Sequence, residues 1–137
     1  MTAALRYLLD TNILSDLVRK PHGRIRERII AAGESTTCTS IISAGELRFG
    51  GARAGSPSLM ERIDRILSAL VLLPFDSPAD RHYAEIRTAL SREGTLIGPN
   101  GLLIAAQARS LDLTVVTAND REFSRVPDLR VVNWLRH

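Results

Sequence analysis

Three acidic residues stand just past three short apolar runs, and together they outline a chemistry. Asp10 follows Leu8-Leu9 and opens Asp10-Thr11-Asn12. Glu46 lies a few residues beyond Thr37–Thr39, and Asp120 follows Thr114–Val116. Carboxylates gathered in one place repel and raise one another's pKa, and a divalent cation relieves that repulsion. Oxygen-only ligands favour Mg²⁺ or Mn²⁺ over zinc. The chain offers zinc nothing: Cys38 is alone, and His22, His82 and His137 are scattered and read as ordinary surface residues. A cation held by carboxylates can activate water and stabilise the charge developing on phosphorus. Metal-assisted phosphodiester cleavage is the reaction such a set would serve.

Each acid also has a purely structural reading. Ser43-Ala44-Gly45-Glu46 fits a capping box, in which serine and glutamate satisfy each other's orphan amides. Asn119-Asp120 after a strand is a turn signal. Glu122 reads as a solvated charge, and Phe123 as the anchor of its loop in the core.

For the acids to meet, the apolar runs must be strands of one sheet. Runs at Tyr7–Leu9, Thr37–Thr39, Val71–Leu73, Thr114–Val116 and Val131–Val132 alternate with helical patterns. Those helices are expected at Ile13–Arg19, Ile25–Ala32, Ile41–Gly50, Leu59–Leu70, Pro78–Arg92 and Leu102–Ser110. The alternation predicts a parallel α/β sheet. Residues past the carboxyl ends of such strands line the edge where these folds bind ligands. Asp10, Glu46 and Asp120 converge there only if the first, second and fourth strands are neighbours.

At 137 residues with 45% hydrophobic content, the chain is expected to form a single domain over residues 1–137. No apolar stretch approaches the roughly 18 residues of a membrane span, and no signal-peptide pattern opens the sequence. The lone Cys38 is read as a small buried apolar residue, and a reducing cytoplasm is the expected compartment. The net charge is +3, and Lys20 is the only lysine among 18 basic residues. Arginine suits phosphate recognition, although codon usage in a high-GC genome gives the same bias.

The ordered set Leu8-Leu9-Asp10-Thr11-Asn12, Thr39-Ser40-Ile41 through Glu46-Leu47, Ile97-Gly98-Pro99-Asn100, Leu103-Ile104-Ala105-Ala106 and Val116-Thr117 through Phe123 resembles a PIN domain. More narrowly it resembles the VapC toxins of type II toxin–antitoxin modules, including a closing Val126 to Leu135 similar to that family's last strand and tail. The resemblance spans nearly the whole chain. It implies a three-layer α/β/α sandwich around a mostly parallel sheet of about five strands. It also implies a homodimer, a Mg²⁺- or Mn²⁺-dependent endoribonuclease acting on tRNA or rRNA, and a cognate antitoxin through which operator DNA is reached. Asp10, Glu46 and Asp120 fall on the family's first, second and fourth acids, and Asn12 and Thr117 on polar positions lining the same site. Arg48, Arg87 and Arg121 are candidates for substrate phosphates, against the alternative that each is a solvated surface charge.

One position departs from the pattern. The family's third acid falls on Gly101, which has no side chain to bind metal, while Asn100 is placed to cap the helix that follows. Gly101 is compatible with an engineered inactive form, with a natural variant of weakened or lost catalysis, and with slow turnover by the remaining acids and water.

Two other enzyme classes are excluded by the residues themselves. A haloacid dehalogenase-type phosphatase needs aspartate at position 12 and a late lysine, but the chain has Asn12 and no lysine after Lys20. A P-loop needs Gly-x-x-x-x-Gly-Lys, which is absent; Gly45, Gly50, Gly51 and Gly55 read instead as the end of a helix and the start of a loop. The remaining rival is a catalytically inactive PIN-fold binding protein acting through antitoxin and operator DNA. Phe49, Leu59 and Met60 are its candidate exposed anchors, unless they fill the core.

Overall fold

A computed structural model describes residues 4–136, so His137 lies outside the described residues. Five short strands carry the fold: β1 (Tyr7–Leu9), β2 (Thr37–Ser40), β3 (Val71–Leu73), β4 (Thr114–Val116) and β5 (Val131–Val132). All are parallel, in the order β3-β2-β1-β4-β5. β1 is therefore central, with β2 and β4 on either side, the arrangement that lets the three acid-bearing ends share an edge. Register is direct: Leu9 pairs with Thr39 on one side and Val116 on the other.

The strands are buried on both faces, as parallel sheets are. Leu8, Cys38 and Val115 point into one core with Ile86, Leu90, Ile104 and Ala105. Leu9 and Val116 point into the other with Ile13, Leu14, Ile25, Leu47 and Ile63. The first face is covered by α5 (Ala79–Arg92) and α6 (Pro99–Ser110). The second is covered by α1 (Thr11–Arg19), α2 (Arg24–Ala32), α3 (Ile41–Ala54) and α4 (Pro57–Ser68). The result is the expected three-layer α/β/α sandwich. Burial pushes the Cys38 thiol up to about 12, which keeps it protonated and unreactive.

Boundaries differ from the sequence reading in instructive places. α3 does not stop at Gly50; it continues to Ala54 and ends where Gly55 takes the left-handed conformation at φ 67°. Gly51 inside it marks a close approach, since a Cβ there would fall 2.5 Å from Met60 Sδ and 2.6 Å from Ile63 Cδ1 of α4. A short helix, α7 (Asp120–Phe123), follows β4. Phe49 is 65% exposed, whereas Leu59 and Met60 pack against the second core. Among the described residues no helix is long and apolar enough to cross a membrane.

Candidate functional site

The end of β1 delivers Asp10 to the sheet edge as the N-cap of α1. Its Oδ1 accepts from the Thr11 amide at 2.8 Å, and its Oδ2 from Thr117 Oγ1 at 2.9 Å and Asn12 Nδ2 at 3.3 Å. Asn12 also bridges outward, its Oδ1 accepting from the Ala118 amide at 3.0 Å. Thr117, fully buried just past β4, accepts from the Asn119 amide at 3.0 Å while donating to Asp10. Asn12 and Thr117 thus stitch the ends of β1 and β4 together around the carboxylate.

Glu46 reaches the same place from α3. The structure replaces the capping-box reading: the N-cap is Ser40, whose Oγ accepts from the Ile42 amide at 3.0 Å. Ser43 is instead buried with its hydroxyl unpartnered. Glu46 therefore lies in the second turn of α3, free of capping, and its Oε1 accepts from Thr11 Oγ1 at 2.8 Å. Thr11, the middle residue of Asp10-Thr11-Asn12, is the bridge between the two acids.

Asp10, Thr11, Asn12 and Glu46 line one part of a cleft of about 520 Å³. Gly98, Pro99, Asn100 and Gly101 of the α6 N-terminus line another, and Asn119, Glu122 and Phe123 a third. Helix α6 begins one turn earlier than expected, with Gly98 at the N-cap and Pro99 at the first helical position. Asn100 is thus inside the helix rather than capping it, and Gly101 sits in its first turn. A Cβ at Gly101 would lie 3.5 Å from Ile97 Cδ1 and 3.6 Å from Phe123 Cζ, ordinary contact distances, so the backbone accepts a Cβ there.

The third carboxylate of the cleft is Glu122. Expected as a solvated charge, it is half-buried, and its Oε1 accepts from the Gly98 amide at 2.9 Å. Asp120, two residues earlier, does not line the cleft: Arg136 holds its Oδ2 at 2.8 Å and Asn133 its Oδ1 at 3.3 Å. Phe123 is buried as expected, at 3% exposure. Of the three candidate arginines, Arg121 is exposed on α7, next in sequence to the cleft-lining Glu122 but not itself lining the cleft. Arg48 pairs with Asp64 at 2.6 Å, and Arg87 bonds the Tyr83 hydroxyl at 2.7 Å; neither lines the cleft.

Burial pushes the Asp10 carboxyl above its ordinary value; the Thr11 and Thr117 hydrogen bonds oppose this, and the charges of Glu46 and Glu122 add to it. The site thus concentrates negative charge, and cationic compensation would favour the ionised form. Among the described residues no three acidic, histidine or cysteine side chains are grouped tightly enough to enclose a metal. The donor chemistry nevertheless fits a hard cation such as Mg²⁺, which takes one or two protein carboxylates and draws its other oxygens from water and phosphate. Asp10 and Glu46, joined through Thr11, are the two carboxylates that could supply that pair.

Comparisons with known proteins bear on the fold and the family. The PIN domain family matches residues 7–129. The tRNA(fMet)-specific endonuclease VapC of Salmonella typhimurium is 36% identical over 131 residues, covering 95% of this chain and 98% of that protein. Ribonuclease VapC2 of Haemophilus influenzae (strain Rd) is 36% identical over 132 residues, covering 96% and 99%. Among solved structures, VapBC2 from Rickettsia felis bound to a promoter DNA fragment superposes with a TM-score of 0.87. It is 32% identical and covers 95% of this chain and 99% of its own. The sheet, its acid-lined edge and these likenesses define the class: the chain belongs to the PIN-domain family. Within that family it falls in the VapC branch.

Proposed function

We propose that this chain is the toxin of a type II toxin–antitoxin pair and a Mg²⁺- or Mn²⁺-dependent endoribonuclease directed at structured RNA, tRNA or rRNA. Its activity is impaired by Gly101. The observation that carries the proposal is the meeting of Asp10 and Glu46, from β1 and α3, in one acid-lined cleft with Thr11 between them. The names of the relatives, a tRNA endonuclease and a ribonuclease, support the reaction class. The structures of VapBC complexes bound to DNA support an antitoxin partner that brings operator DNA. A homodimer is part of the same proposal.

In this reading Asp10 and Glu46 would hold the cation, with Glu122 adding negative charge to the same cleft. When bound, the cation would lower the pKa of water and offset charge on the phosphodiester. Thr117 and Asn12 fix the Asp10 carboxylate in one orientation, which matters because small misplacements cost large factors in rate. Arg121, exposed on α7, is the candidate contact for a substrate phosphate. Asp120 acts here through the elements it ties together. At position 101, where the backbone accepts a Cβ, the site lacks a carboxylate.

Gly101 together with the engagement of Asp120 by Arg136 favours one second reading: a non-catalytic PIN-fold protein that works through antitoxin and operator DNA. The two separate on expression and in vitro. A residual nuclease slows growth when expressed without antitoxin and cuts purified tRNA or rRNA with Mn²⁺ but not with EDTA. A binding module does neither, yet still forms a complex with antitoxin.

A further inference from the structure

The acid the cleft does not use is held by specific partners. Asp120 accepts from Arg136 Nη1 and Asn133 Nδ2, and Asn133 Oδ1 accepts from the Leu135 amide at 2.9 Å, winding the tail into a compact turn. The tail is itself tied down. Trp134 is 5% exposed and packs on Tyr7 with ring centroids 5.0 Å apart. Arg24 of α2 donates to the Trp134 carbonyl at 2.9 Å and to the Arg136 carbonyl at 3.1 Å.

Across from this strap stands α7. A single turn of helix does not sustain itself in water, and Asn119 gives this one no side-chain cap. Two tertiary anchors hold it: Phe123 buried on one side, and Asp120 in the grip of the tail on the other. Glu122 lies between them, facing the cleft and binding the Gly98 amide. A continuous path of hydrogen bonds and short helix therefore runs from α2 through the tail and α7 to the N-terminus of α6, where Gly101 sits.

We infer that the tail from Asn133 to Arg136 is a positioning strap. By gripping Asp120 it orients α7, so that Glu122 faces the cleft and holds the start of α6. Arg136 and Asn133 are positioning residues that act through Asp120, and Arg24 anchors the strap. The consequence for catalysis rests on the functional reading above; the mechanical coupling does not. The opposite arrangement, in which Arg136 sequesters Asp120 from a cation it would otherwise bind, predicts the reverse response to cutting the strap.

The test uses the full chain, with amide exchange and shifts followed by nuclear magnetic resonance in Arg136→Ala, Arg136→Lys and Asn133→Ala. The Arg136 side chain is 60% exposed, so its removal leaves the cores packed. In Arg136→Ala the Gly98 amide shifts, and exchange at Gly98, Phe123 and Ser124 quickens about fivefold, the scale of one partly exposed ion pair, while Ala105 within α6 stays protected. Asn133→Ala gives a smaller change of the same pattern, and Arg136→Lys restores most of it. Mn²⁺, followed by its broadening of resonances around Asp10, binds more weakly in Arg136→Ala. An unchanged Gly98 amide in Arg136→Ala overturns the strap, and tighter Mn²⁺ binding overturns it in favour of sequestration. RNA cleavage is not among the readouts, so a chain that cuts no RNA leaves this result intact.

Discussion

Thr117 Oγ1 donates to Asp10 Oδ2 at 2.9 Å, joining residues 107 positions apart at the ends of adjacent strands. That bond favours the ionised form of a carboxylate that burial pushes toward the neutral one. The contest between the two sets how the site responds to pH, to cations and to substitution.

Burial prevails, so the folded protein holds the Asp10 proton more tightly than the unfolded chain does. As pH rises from the ordinary carboxylate range through the raised native value, the unfolded chain has already released its proton and folding loses stability. Asp10→Asn lacks this loss. In urea unfolding without metal, its stability relative to the parent rises as pH climbs from the ordinary carboxylate range through the raised native value, by about 1.4 kcal/mol for each pKa unit of the rise. Parallel pH profiles for the two proteins would contradict burial as the governing cause.

Asn12 donates to Asp10 Oδ2 and accepts from the Ala118 amide. Asn12→Asp keeps the acceptor but sets a carboxylate against Asp10 where a donor stood. It destabilises the metal-free protein at neutral pH by about 1–3 kcal/mol, a loss that shrinks in acid, where the pair shares protons. Thermal unfolding at neutral and acid pH reads the difference directly.

Gly101 lies in the first turn of α6 with room for a Cβ. Gly101→Ala therefore stabilises the fold by about 0.5–1 kcal/mol through backbone entropy, a rise of a few degrees in Tm for a chain of this size. Lowered stability would show that the glycine is required by packing.

Glu46 and Glu122 face one cleft with Asp10, and Asp120 does not. Glu46→Gln and Glu122→Gln preserve shape while each removes a charge. Each is expected to weaken Mn²⁺ binding about tenfold, the scale seen when groups around a metal site are altered, measured by calorimetry or by the Mn²⁺-dependent shift in Tm. Unaltered binding in Glu122→Gln would remove that residue from the site.

Much of this was legible before the structure, and the exceptions share a cause. The five strands stand out because each is a short apolar run between helical periods, but that β1 lies between β2 and β4 is a matter of long-range pairing that no local pattern carries. Asp10 was readable because it flanks a strand end directly, while Asn12 and Thr117 were drawn to the site only by the family resemblance. Glu122 was not readable, because Asp120 and Glu122 lie on the same single turn. Which one faces the cleft is decided by Arg136 and by the burial of Phe123, not by local pattern. The cap of α3 was misplaced for a related reason: Ser40 and Ser43 are both able caps, and tertiary burial removes Ser43 from the helix end. Arg48 and Arg87 likewise carry no sign in sequence of Asp64 and Tyr83, the partners that occupy them.

The central claim is that the acid-lined cleft is an RNA-cleaving site lacking the carboxylate that position 101 would supply. Its most direct test compares this chain with Gly101→Asp, both purified free of antitoxin, on tRNA and rRNA in Mg²⁺ or Mn²⁺. The account predicts EDTA-sensitive cleavage at defined sites by Gly101→Asp, at least tenfold faster than by the parent, on the scale of one restored group around a metal, and abolished by Asp10→Ala in the same background. If Gly101→Asp folds and cuts no RNA with either metal, the nuclease account is contradicted.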